Sequence, residues 1–126
     1  MKIMALILML LIVGCGWVEA QDEWTNQDTA LQLTYTVAHV MDWNQTLHIA
    51  RNPDRYYEKG CDAFIGYHPT KRKVNAYFAS TLLLHTVIAY TLSKPYRTVW
   101  QSVWIGVEYN QIQRNREIGL GVSLHF

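Results

Sequence analysis

From Val74 to Leu92 the chain runs 19 residues without a formal charge, VNAYFASTLLLHTVIAYTL. A stretch of that length suits either a bilayer-crossing helix or the central helix of a bundle. Asn75, Ser80, Thr81, His85, Thr86 and Tyr90 dilute its apolar character, so both readings stay open. Whatever the rest of the chain does must be arranged around this segment.

The flanking segments also read as helices. Thr25-Asn26-Gln27-Asp28 has the form of a capping box, a threonine followed three residues later by an acid. It predicts a helix from about Asn26 to His48, with Leu31, Val37, Val40, Met41 and Leu47 among its apolar positions. Asn52-Pro53-Asp54 stops that helix, because the residue before proline is pushed out of helical space. Residues 51–73 are a polar connector, with a helical turn expected at Asp54–Glu58 and bends at Gly60, Gly66 and His68-Pro69. A connection this long is often a loop with a role of its own. Ser93 is the expected N-cap of a last helix, Tyr96 to Gln113, with Pro95 in its first turn. Ile118, Leu120, Val122, Leu124 and Phe126 alternate with small or polar residues, the period of a short strand or extended tail. The expected fold is therefore all-α, a three-helix bundle with a short extended C-terminus, forming a single domain over residues 21–126.

The first 20 residues read as an export signal. Lys2 precedes an unbroken apolar run from Ile3 to Val13, too short to span a membrane comfortably but suited to a secretory leader. Val18-Glu19-Ala20 permits cleavage before Gln21. Ile12-Val13-Gly14-Cys15 instead resembles a bacterial lipobox, in which Cys15 would be acylated and become the mature N-terminus. Either route removes Cys15 from disulfide chemistry and leaves Cys61 alone, expected to be buried and inert. The mean hydropathy of −0.05 is thus an average over unlike parts. Without the leader it falls to roughly −0.4, ordinary for a small globular domain. The expected location is the bacterial cell envelope, membrane-associated or periplasmic.

With 11 Lys and Arg against 10 Asp and Glu, the chain lacks the basic excess of a dedicated nucleic-acid binder, and no nucleic-acid partner is expected. No Gly-x-Ser-x-Gly, phosphate loop, dinucleotide fingerprint or Cys-x-x-Cys occurs, and no cofactor is implied. If the helices span a bilayer, the six basic residues of the connector fall on the inner side, as the positive-inside rule requires. Membrane is the expected partner, with an envelope protein as a second.

Each helix nonetheless carries one polar stripe. Tyr35, His39, Asp42 and Thr46 share a face of the first, and His39 and Asp42 are placed to pair. Asn75, Phe78, Leu82, His85 and Ala89 align on the second; Gln101, Trp104, Glu108, Gln111 and Asn115 align on the third. Brought together, His39, Asp42, His85 and Glu108 could bind a divalent metal or relay protons. They serve equally as interhelical hydrogen bonds or a solvated face, and no helix carries a His-x-x-x-His or Glu-x-x-His pair. Glu58 and His68 form a further candidate pair in the connector, expected as solvated loop residues.

The chain resembles a group of small uncharacterised proteins of bacteria and their phages. The resemblance rests on Trp24-Thr25, Asp28-Thr29, Asp42-Trp43-x-Gln45-Thr46, Asn52-Pro53, Tyr57-Glu58, Gly66-x-His68-Pro69, Val74-Asn75-x-Tyr77-Phe78, His85, Pro95-x-Arg97 and Trp100-Gln101. Lys59-Gly60-Cys61-Asp62 replaces the Asn-Pro step usual after the glutamate, so no role for that turn transfers. The resemblance implies a small exported or membrane-associated helical protein and supplies no activity. The expectation is a non-catalytic envelope protein acting through membrane or envelope contacts, with a phage-encoded modifier of the host envelope as one form of it. The alternative is a small metal-dependent enzyme, or an ion- or proton-handling membrane protein, built on the His/Asp/Glu cluster.

Overall fold

A computed structural model describes residues 22–121. Those residues are all-helical: α1 (Asn26–Arg51), a four-residue α2 (Asp62–Ile65), α3 (Lys71–Thr91) and α4 (Tyr96–Glu117). The leader with Cys15, and Val122–Phe126, lie outside the described residues.

The capping box opens α1 as expected. Thr25 Oγ1 accepts the Asp28 amide, and the Asp28 carboxylate accepts the Thr25 amide at 2.8 Å. Asn52 closes the helix: its backbone amide donates to Ile49 O, and its side-chain amide to His48 O. Thr70 caps α3, its hydroxyl accepting the Lys73 amide. Three local expectations are corrected. The connector's helix lies at Asp62–Ile65, left through Gly66 at φ 85°, a left-handed exit that a side chain would resist; near the expected Asp54–Glu58 there is only a turn, in which the Arg55 and Tyr56 amides return to Asn52 O. Pro95, not Ser93, is the N-cap of α4, and no side chain caps that helix. Ile118 and Leu120 belong to no strand: the Gly119 amide returns to Arg116 O and the Leu120 amide to Asn115 O. That is a Schellman ending, with Gly119 at φ 90° and Leu120 tucked in behind it.

Helix α1 packs most extensively on α4 and next on α3, while α2 rests on α3. The apolar core divides in two. Ile65, Val74 and Phe78 gather at the connector end with Trp43 and Leu47 around them. Ala89, Leu92 and Trp100 gather at the opposite end with Trp24 and Trp104. Between and beside these clusters the interior is polar. No helix among the described residues is long and apolar enough to cross a membrane, so the bilayer-crossing reading of residues 74–92 is not supported.

Candidate functional site: a buried polar spine

The polar stripes of α1 and α4 face each other. Asp28, Tyr35, His39, Asp42, Gln45 and Thr46 are buried on α1; Arg97, Gln101, Glu108 and Asn115 are buried opposite them. These side chains form three linked groups along the interface.

At the first end Arg97 acts as a clip. Its Nε donates to Ala89 O at 3.1 Å and Leu92 O at 3.0 Å, supplying the last carbonyls of α3 with a donor. One terminal nitrogen reaches Asp28 Oδ2 at 3.1 Å, and the other donates to Asp22 O. The guanidinium also lies over the Trp24 ring, 5.2 Å from its centroid. Burial alone would raise the Asp28 carboxyl. Hydrogen bonds from Thr25 and Arg97, with the Lys94 charge nearby, outweigh it and hold Asp28 below the usual carboxylate range. Gln101 extends the group by donating to Asp28 O.

In the middle, His39 Nδ1 lies 2.7 Å from Glu108 Oε1, and its Nε2 lies 3.0 Å from Phe78 O. Both ring nitrogens thus face oxygen atoms, and the Thr81 hydroxyl also lies 3.2 Å from Nε2. Tyr35 joins this pair to His85. Its hydroxyl sits 3.3 Å from His39 Nδ1, while its ring stacks on His85 at 3.5 Å between centroids. Trp100 also stacks on His85, with 5.4 Å between ring centroids. Burial, with a smaller contribution from His39, lowers His85 to about 4, so this imidazole is neutral near pH 7. Its Nε2 has no partner among the described residues.

At the connector end Asn115 Nδ2 donates to Asp42 Oδ1 at 2.8 Å and to Gln45 Oε1 at 3.1 Å. Burial raises the Asp42 carboxyl well above the usual range, reinforced by the charges of Glu108 and Glu58. Glu58 is itself buried: its Oε1 accepts the amides of Gly60 and Cys61 at 2.6 and 3.2 Å. A Cβ on Gly60 would collide with the Gln111 side chain, so the connector approaches α4 closely there. Cys61 is half-buried, and burial and Glu58 push its thiol pKa up, away from reactivity.

The four predicted residues are therefore interior but not convergent. His39 pairs with Glu108 rather than Asp42; Asp42 pairs with Asn115; His85 reaches the pair only through Tyr35. Glu58 is buried, against the expectation of a solvated loop residue, because backbone amides receive its carboxylate. His68 is exposed as expected. Among the described residues no group of three or more His, Cys, Asp or Glu side chains is arranged to hold a metal ion.

The sequence reading missed Arg97 and Asp28 as a pair. A signal was present: an arginine in a helix's first turn opposes the helix dipole, so its charge is expected to be used elsewhere. No family model, curated protein or solved structure matches the chain.

Proposed function

We propose that this is a non-catalytic envelope protein that works by lying against lipid, with its polar spine fixing the helices so that an uncharged exterior faces the membrane. In this reading residues 1–20 deliver the chain to the envelope, and α1, α3 and α4 act as a three-helix bundle. One observation carries it: the middle of every long helix hides its charges and shows its apolar side chains. Over Thr29–Leu47, Val74–Thr91 and Thr98–Gln113 the only formal charges are Asp42 and Glu108, both buried. Leu33, Val37, Leu83, Leu84, Val87, Tyr90, Val99, Val103 and Val107 are each about half exposed or more over the same spans. A water-facing helix normally does the reverse. At 1.5 Å per residue the α3 portion is about 27 Å long.

The ends support lipid as the occupant. Of the 11 Lys and Arg, Arg51, Arg55, Lys59, Lys71, Arg72, Lys73, Arg114 and Arg116 all sit at the connector end. Anionic headgroups attract such a cluster beside an apolar surface.

The test is fractionation of the tagged full chain carrying Cys15→Ser, which removes any acyl anchor. Retention in the membrane fraction through a high-salt wash, with release by detergent, is expected. Release into the soluble fraction without detergent contradicts the reading.

A further inference from the structure

At the connector end, between the Arg55–Lys59 loop and the last turns of α4, lies an open cleft of about 330 Å³. Its charged lining residues are Arg55, Lys59, Arg114 and Glu117, three cations against one carboxylate. None of the three cations forms a salt bridge among the described residues. Two are steadied by aromatic rings instead: Lys59 Nζ lies 4.9 Å from the Tyr57 ring centroid, and the Arg55 guanidinium lies 6.0 Å from that of Tyr56. Aromatic support fixes a cation without neutralising it, so the positive charge stays available to a ligand. The cleft floor is held from below, because Asn115, which also lines it, is tied to Asp42 and Gln45. The loop bearing Arg55 and Lys59 is held through the Glu58 carboxylate and the close approach of Gly60 to Gln111.

We propose that this cleft is a binding site for a phosphate group, with Arg55 and Arg114 as the principal ligands and Lys59 adding a third charge. Two guanidinium groups match the paired oxygens of a phosphate, which a point charge does not. An anionic phospholipid headgroup and a free phosphate both present this group, and the chemistry of recognition is the same. The headgroup source rests on the lipid-facing reading, since Arg55, Lys59 and Arg114 belong to its basic cluster; binding of free phosphate does not.

The test titrates the full-length protein in uncharged detergent micelles with inorganic phosphate, and separately with short-chain phosphatidylglycerol and phosphatidylcholine. Tyrosine fluorescence or calorimetry reads binding. The variants are Arg55→Gln with Arg114→Gln, and Arg72→Gln as a charge control at the same end outside the cleft. Wild type is expected to bind phosphatidylglycerol over phosphatidylcholine, and the double variant to weaken binding about tenfold or more. The Arg72→Gln variant, which removes one charge of the same basic end outside the cleft, is expected to weaken binding far less, by about twofold. Binding of inorganic phosphate as well assigns the site to the phosphate group alone; binding of the lipid only assigns it to the headgroup. Binding of neither probe overturns the proposal. So does an equal loss in Arg72→Gln and the double variant, since general surface charge would then explain the attraction. Unchanged circular dichroism and melting temperature establish that the exposed substitutions leave the fold intact.

Discussion

Arg97 on α4 and Asp28 on α1 meet at 3.1 Å in the interior, both with about 1% or less of their surface exposed. The same guanidinium binds the carbonyls ending α3 and the chain entering α1, so one side chain joins all three long helices. A buried pair of this kind adds little net stability over apolar residues, but removing one member leaves the other charged and unpaired.

Arg97→Met is therefore expected to cost about 3–5 kcal/mol, read by chemical denaturation. Arg97→Lys should recover less than half of that loss, because an ammonium on a flexible stem cannot reach the same carbonyls and carboxylate together. Full recovery by lysine would mean that charge alone, not the fork, holds the helices.

His85 makes stability depend on pH. Its folded pKa of about 4 lies below the ordinary imidazole value of 6.5, so between those values the unfolded chain binds the extra proton. The contribution of His85 to stability should then fall as pH is lowered from 6.5 to 4, by about 3 kcal/mol, against the opposite contribution of Asp42. His85→Phe keeps the stack between Tyr35 and Trp100 and should flatten that slope. Below pH 3.8 a second loss is expected as Asp28, held low in the fold, becomes protonated. Denaturation midpoints measured from pH 3 to 8 on both proteins check this.

Asp42 carries the opposite sign. Its folded pKa is raised, so above the ordinary carboxylate pKa the unfolded chain gives up its proton first and stability drops as pH rises. Asp42→Asn keeps an acceptor for Asn115 while removing the buried charge. Its melting temperature at pH 7 should exceed that of wild type.

The two connector glycines should differ. Gly66 sits at φ 85°, and Gly66→Ala is expected to cost about 1–2 kcal/mol from backbone strain alone. At Gly60 the obstacle is the mobile end of Gln111, so Gly60→Ala should cost less, about 1 kcal/mol or below, and Gln111→Ala should relieve it. Thermal melts of the three variants decide.

Much of the helical frame was legible because its signals are local. The Thr25–Asp28 box, the Asn52-Pro53 stop and the 3.6-residue period each act within a few residues. The stripes were also legible: Tyr35, His39, Asp42 and Thr46 are all buried on one face. Their partners were not, since spacing along one helix says nothing about which side chain stands opposite. His39 and Asp42 could pair by spacing, yet Glu108 and Asn115 from α4 took them separately. Glu58 was misread for a related reason: the amides that bury it belong to a turn whose shape depends on α4. The exposed apolar midsections are a property of three helices together, and the sequence shows them only once the stripes are known to face inward.

The most direct test of the lipid-facing account is co-flotation of the purified full-length protein with vesicles of phosphatidylethanolamine and phosphatidylglycerol. Wild type is compared with Leu84→Glu combined with Val103→Glu, two exposed positions on α3 and α4. The account predicts that wild type floats with the vesicles, while the double variant stays at the bottom of the gradient with unchanged helicity and melting temperature. A wild-type protein that remains at the bottom, as a monomer or with its exterior covered by a second copy, would contradict it.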